Sequence, residues 1–155
     1  LCQRVTTFNE KNCAGLVPKI DNFIDDDLKI LNNYSDNLNE LRINIDNQNL
    51  NFYMNFIISS LFEANKYFND QEPWKKKDNL DRLNTIVFVS LEIIRKITIL
   101  LFPIIPETSK KVLKIFNLDE KDVIFSTIED HNYLKALKKI NKIPILFKKI
   151  EKKND

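Results

Sequence analysis

Three features of this 155-residue chain predict an all-α fold, a bundle of helices. The chain holds one glycine, Gly15, against five prolines. Sandwiches, dinucleotide-binding sheets and phosphate loops need several glycines at their turns, so the composition argues against all three. Apolar residues recur at steps of three and four along most of the chain, which is the helical period. Hydrophobic residues (43%) suffice for a core and charged residues (30%) for a wet surface. One ordered domain spanning 1–155 is therefore expected.

The elements follow in order. Leu1, Val5, Phe8 and Asn12 form the first helical stripe. Gly15 stands where a left-handed residue stops that helix, and Pro18 keeps it stopped. Leu1 is already in phase, so the first helix is expected to begin upstream, and the chain reads as a piece of a larger protein. Arg4 lies beside or opposite the stripe, free to reach solvent or a partner. A second helix is predicted over about 21–45, with Ile24, Leu28, Leu31, Tyr34, Leu38, Leu41 and Ile45 on one face. Asp25, Asp26 and Asp27 suit its N-terminal dipole and read as a solvated helix start. Adjacent helical residues point about 100° apart, so the three carboxylates do not converge on a metal.

A third helix, about 47–69, carries the widest apolar face, with Phe52, Tyr53, Phe56 and Phe62 broadening it, and is expected to be the most central. The segment 70–79, with Pro73 and Trp74, breaks the pattern. A fourth helix, about 80–101, is apolar enough to resemble a membrane span. Glu92, Arg95 and Lys96 sit near its middle, however, and a charge at the bilayer centre costs roughly 2.5–3.5 kcal/mol, so a buried bundle helix is predicted. Pro103 ends it, and Pro106 opens a short helix at the first helical position. Residues 119–127 have no clear period. A further basic helix is predicted over about 132–142. After Pro144, an apolar tail, Ile145-Leu146-Phe147-Lys148-Lys149-Ile150, is expected to dock back on the bundle. Residues 151–155 are expected to fray.

Much chemistry is missing. His131, the only histidine, has no serine, cysteine or second histidine at motif spacing, so neither a triad nor a histidine zinc site is supported. It reads as a surface residue at a helix start. Cys2 and Cys13 lie eleven positions apart on one helix, roughly 16 Å by the helical rise, too far to bridge. No catalytic residue, metal site or membrane partner is assigned, residues 1 onward do not read as a signal peptide, and the expected compartment is the cytoplasm.

Two features carry chemistry. The only tryptophan, Trp74, follows a rigid proline and precedes Lys75, Lys76 and Lys77 in a helix connection. An aromatic plate beside lysines suits single-stranded nucleic acid, with a base stacked on the ring and phosphates on the ammonium groups. On these residues alone the plainer alternative, a tryptophan plugging the bundle end among solvated lysines, is favoured. The second feature is charge asymmetry hidden by a net charge of +2. Residues 21–46 are acidic, whereas Lys135, Lys138, Lys139, Lys142, Lys148, Lys149, Lys152 and Lys153 form a basic stretch that fits a polyanion or simply a solvated face.

The run Ala64-Asn65-Lys66-Tyr67-Phe68-Asn69-Asp70-Gln71-Glu72-Pro73-Trp74-Lys75 resembles the helix-end motif in the C-terminal anticodon-binding domain of the methionyl-tRNA synthetases. Leu1-Cys2-Gln3-Arg4-Val5, with Lys11-Asn12-Cys13-Ala14-Gly15-Leu16-Val17-Pro18, is similar to that family's first bundle helix and its exit loop. Phe102-Pro103-Ile104-Ile105-Pro106-Glu107-Thr108-Ser109 is similar to a later proline-bounded turn, and 145–150 to the closing tail. The likeness spans nearly the whole chain and is weakest over 110–142.

The resemblance implies a helix bundle of the class I synthetase anticodon-binding type, on which the methionine anticodon CAU is read. It implies that Trp74 stacks on an anticodon base, that Pro73 shapes its loop and that Arg4 contacts the anticodon. The family's asparagine four residues before that arginine would precede Leu1. Asn65, Tyr67, Lys75 and Lys77 are expected as supporting or phosphate contacts. The implied partners are the methionine tRNA anticodon stem-loop and a catalytic domain in the same parent chain. ATP with Mg2+, and Zn2+ as a further option, would belong to that parent. With no HIGH-like motif, KMSKS-like loop or zinc knuckle, these residues alone are expected to be catalytically inactive. Two alternatives stay open: a helical protein–protein interaction module with Trp74 as its anchor, or the anticodon domain of another class I synthetase, against which the Pro-Trp pair argues.

Overall fold

In the computed structural model, which describes residues 1–147, six α-helices are joined by short turns and no strand occurs among the described residues. The first, α1, spans Cys2–Asn12. It ends one residue before the expected stop: Ala14 takes φ 54° and Gly15 φ 66°. A Cβ on Gly15 would meet nothing within 4 Å, so only the positive φ calls for glycine there. Asn9, fully buried, donates its amide to Leu16 O at 2.8 Å and holds the exit loop.

The expected second helix is two helices, α2 (Asp25–Asp36) and α3 (Leu38–Asp46). The interruption falls at Asn37, whose amide donates to Asn33 O at 2.8 Å and competes for the carbonyl four residues back. The start is also later than expected, because Ile24 N is capped by the Asp27 carboxylate at 3.0 Å. Gln48 turns at φ 60° into α4 (Leu50–Asp70), whose Asn49 cap accepts from Phe52 N.

The central helix is α5 (Leu80–Leu101), not α4: every residue from Thr85 to Leu100 is buried, whereas Ile58 and Phe62 of α4 face solvent. A helix apolar on all sides needs neighbours on all sides, and α1, α2, α4 and α6 (Pro106–Leu113) all pack on it. Pro106 opens α6 as expected. Among the described residues no helix is long and apolar enough to cross a membrane.

The charges in the middle of α5 have a structural use. Glu92, Arg95 and Lys96 are fully buried. Arg95 Nε donates to Glu92 Oε2 at 2.7 Å, and its Nη2 to Thr127 O and Asp130 O at 2.9 and 3.0 Å. Lys96 Nζ donates to Ile128 O and Asp130 O, and Glu92 Oε1 accepts from Leu134 N at 2.6 Å. Burial, with the Arg95 charge beside it, pushes the Lys96 ammonium down to about 8.

The predicted helix over 132–142 does not form, because backbone groups within it pair with other parts of the chain. The carbonyls of Thr127, Ile128 and Asp130 and the amide of Leu134 are taken by α5. Farther on, the chain runs as an extended strap along the α1 exit loop. Leu137 N donates to Val17 O, Val17 N to Lys138 O and Ile140 N to Gly15 O, each at 2.8 Å, and Leu137 sits at φ 63°. His131 therefore stands at no helix start. The Lys96 ammonium can only donate, so Nδ1, 3.1 Å away, must accept; the ring proton sits on Nε2, 2.8 Å from Asn32 Oδ1. Of the expected closing tail, Leu146 packs on the core, as does Ile143 just before it, but Ile145 and Phe147 are exposed. Lys148 to Ile150 and the expected frayed end, 151–155, lie outside the described residues.

Candidate nucleic-acid interface

Trp74 owes its place to its loop. α4 ends at Asp70, Glu72 takes φ 44°, and the buried Pro73 opens a 3-10 turn, Pro73–Lys75, that projects the indole. Pro73 has a fixed φ and no amide proton, so the turn is stiff. The indole meets the edge of Phe68 at 6.2 Å between centroids, and Phe68 meets Phe8 of α1 edge-on at 5.8 Å. Trp74 remains 39% exposed.

Arg4 reaches this aromatic group from α1. Its Cζ lies 4.9 Å from the Phe68 ring centre and 5.5 Å from that of Trp74, within cation–π range. Its Nη2 donates to Asn69 Oδ1 at 2.6 Å. Between α1 and the Trp74 turn lies a cleft of about 600 Å³, bordered by Arg4, Thr7, Phe8, Lys11, Phe68 and Trp74. The fold thus brings together Arg4 and Trp74, seventy positions apart in sequence, on an aromatic floor.

The other candidate residues stand elsewhere. Asn65 donates its amide to Leu61 O of its own helix at 2.9 Å. Tyr67 is buried, and its hydroxyl donates to the Asp27 carboxylate on the far side of α4. Burial and that carboxylate hold the phenol far above its ordinary pKa. Lys75 pairs with Glu72 at 2.7 Å on the surface, and Lys77 is exposed. Asp27 corrects the expectation of a solvated acidic helix start: it is fully buried and takes both Arg82 Nη1 and Nη2, at 2.6 and 2.9 Å.

A second cleft runs along the other flank of α1, between Gln3, Thr7 and Glu10 and the strap residues Lys139 and Lys142. Gln3 and Thr7 border both clefts, so the basic strap adjoins the Arg4–Trp74 site across one helix. Lys135, Lys138, Lys139 and Lys142 are all exposed. The thiols of Cys2 and Cys13 are free, and burial pushes both up to about 11, leaving them protonated at neutral pH.

Sequence reasoning missed Phe8 and Phe68 as the floor of the site, reading Phe8 as core stripe. It missed Asn69 as the Arg4 partner and Arg82 altogether, since nothing local marks a residue whose partner lies 55 positions away.

Comparison with known proteins bears on what this surface does. Residues 17–155 match the family model described as the anticodon binding domain of methionyl tRNA ligase. The methionine–tRNA ligase of Brucella suis is 35% identical over 116 residues, covering 74% of this chain and 22% of the relative; that of Mycobacterium leprae is 32% identical, covering 83% and 25%. The chain therefore spans about a quarter of the length of these relatives. The crystal structure of the apo methionyl-tRNA synthetase of Mycobacterium tuberculosis superposes with a TM-score of 0.89 at 25% identity, over 98% of this chain and 31% of that one. The same enzyme bound by methionyl-adenylate superposes with a TM-score of 0.87 at 26% identity, over 95% and 30%.

Proposed function

The chain belongs to the family of anticodon-binding domains of methionyl-tRNA ligase, and we propose that its Arg4–Trp74 cleft reads the CAU anticodon of a methionine tRNA. The observation that carries this reading is the meeting of Arg4 and Trp74 over Phe68 at the mouth of one open cleft. An unstacked anticodon base stacks on the exposed surface of the indole; such stacking is worth about 1–3 kcal/mol. Arg4, with one described hydrogen bond, has guanidinium donors left for a base edge in a fixed planar fork. Pro73 holds the turn. Lys75 and Lys77 beside it, and Lys139 and Lys142 across α1, attract phosphates without reading sequence.

All of 1–155 is assigned to this one unit. Methionine activation with ATP is assigned to the longer parent chain, whose catalytic part is the second partner, and the compartment to the cytoplasm. The chain alone does not form the adenylate.

The test is binding of a CAU anticodon stem-loop to the chain and to Trp74→Ala. Half-exposed Trp74 can be removed with the fold intact, and affinity should fall tenfold or more, about 1.4 kcal/mol. Equal binding by the two proteins contradicts the stacking role. A duplex RNA control at two salt concentrations separates this reading from a protein-interaction module, which would show no anticodon preference at either salt.

A further inference from the structure

Trp74 sits in the nine-residue loop, 71–79, between α4 and α5, with Gln71 at its start and Arg82 in the first turn of α5 just beyond its end. The two ends of that loop are tied by one side-chain bond: Arg82 Nη2 donates to Gln71 Oε1 at 2.6 Å. Arg82 is itself held by Asp27 of α2 in a two-pronged ion pair, with the Asp27 side chain fully buried and that of Arg82 14% exposed. Tyr67, one turn before the loop, donates to the same carboxylate, and Gln71 Nε2 reaches Asp26 Oδ2 at 3.1 Å. Three helices thus converge on the neck of the loop, only three residues from the indole.

We propose that Gln71, Arg82 and Asp27 form a clamp that fixes the direction of Trp74, making them positioning residues for the base-stacking plate. This inference rests on the function proposed above. The chemistry favours positioning over mere stability at one member in particular. Asp27 and Arg82 neutralise one another in the interior, so truncating either leaves an unpaired charge and threatens the fold. Gln71 is neutral and half-buried, and its two side-chain bonds, one from Arg82 and one to Asp26 of α2, fasten the neck of the loop without adding a buried charge. Only a planar guanidinium can grip the carboxylate with two nitrogens while one of them also reaches the glutamine; an ammonium has neither the reach nor the shape.

With the clamp open, Trp74 keeps its contact with Phe68 but samples more directions, and a base must order it on binding. The expected loss is about two- to tenfold in affinity, the equivalent of immobilising one free side chain.

Trp74 is the only tryptophan, so its fluorescence reports on the clamp without labels. The experiment uses the whole chain and two variants. Gln71→Met keeps the volume and removes both bonds. Arg82→Lys keeps a counter-charge for Asp27 and drops the arm to Gln71. Acrylamide quenching of Trp74, the thermal midpoint, and affinity for the CAU stem-loop are measured for each. The clamp predicts stronger quenching and weaker RNA binding, with the midpoint of Gln71→Met near that of the parent. Unchanged quenching in Gln71→Met overturns the proposal, whatever the RNA result. Stronger quenching with parental RNA affinity also overturns it, since a loosened plate would then bind as well. If the parent chain itself lacks anticodon preference, the function reading fails instead, and the quenching arm still decides the clamp. Should Arg82→Lys not fold, Gln71→Met carries the test.

Discussion

Two arginines in this molecule lie against aromatic rings and differ in what their donors do. Arg95 lies 4.4 Å from the ring centre of Tyr133, is fully buried, and spends its donors on Glu92, Thr127 and Asp130. Arg4 lies over Phe68 and Trp74, faces an open cleft, and makes one hydrogen bond. The side-chain pairing is the same, yet one guanidinium makes four hydrogen bonds inside the fold and the other makes one beside an open cleft. Buried polar groups are nearly always hydrogen-bonded, and the four bonds of Arg95 make it part of the fold. A guanidinium with spare donors beside an exposed indole can afford a ligand.

The largest effect is expected at Arg95. Arg95→Ala takes the paired charge from the Glu92 carboxylate, leaves the Thr127 carbonyl without its donor and leaves Asp130 O to Lys96 alone; about 3–5 kcal/mol of stability should be lost, read from denaturant midpoints. A loss under about 1 kcal/mol would show that the pinned segment is dispensable. Arg4→Ala should behave in the opposite way. Stability should stay within about 0.5 kcal/mol of the parent, while discrimination between CAU and an altered anticodon falls by about tenfold, the lower part of the range for one good base contact. Equal losses on both RNAs would demote Arg4 to a phosphate contact.

A smaller effect is expected from the strap. Replacing Lys139 and Lys142 with Met should weaken both RNAs alike and flatten the salt dependence by a slope of about 1.4, if each lysine meets one phosphate of a single strand. The smallest effect concerns His131. Burial, followed by the adjacent Lys96 charge, lowers its pKa below 6.5. The unfolded chain then binds the proton more readily than the folded one. Its contribution to stability is present above about pH 6.5 and is lost as pH falls through the folded value. His131→Asn should flatten the decline in thermal midpoint between pH 7 and pH 5; an unchanged decline would assign it to other groups.

How much of this was legible in the sequence depends on whether the decisive bonds were local. The bounds of α5 were legible because Asn79 caps one end and the Pro103 turn closes the other. The juxtaposition of Arg4 and Trp74 was legible through the family resemblance, on the motif around Pro73. The break at Asn37 was not, since a single side-chain bond to Asn33 outweighs a seamless apolar stripe. Nor was the strap at 132–142: Tyr133, Leu134, Leu137 and Ile140 have helical spacing, but their backbone bonds go to α5 and the α1 exit loop. Asp27 looked like a surface carboxylate because Arg82 and Tyr67 come to it only in the folded chain.

Whether the Arg4–Trp74 cleft reads an anticodon is decided by titrating the chain with stem-loops while following Trp74 fluorescence. A CAU loop should perturb the emission and bind about tenfold more tightly than the same loop with a changed anticodon. Equal affinity for both loops, with the emission unmoved, would contradict anticodon reading by the cleft.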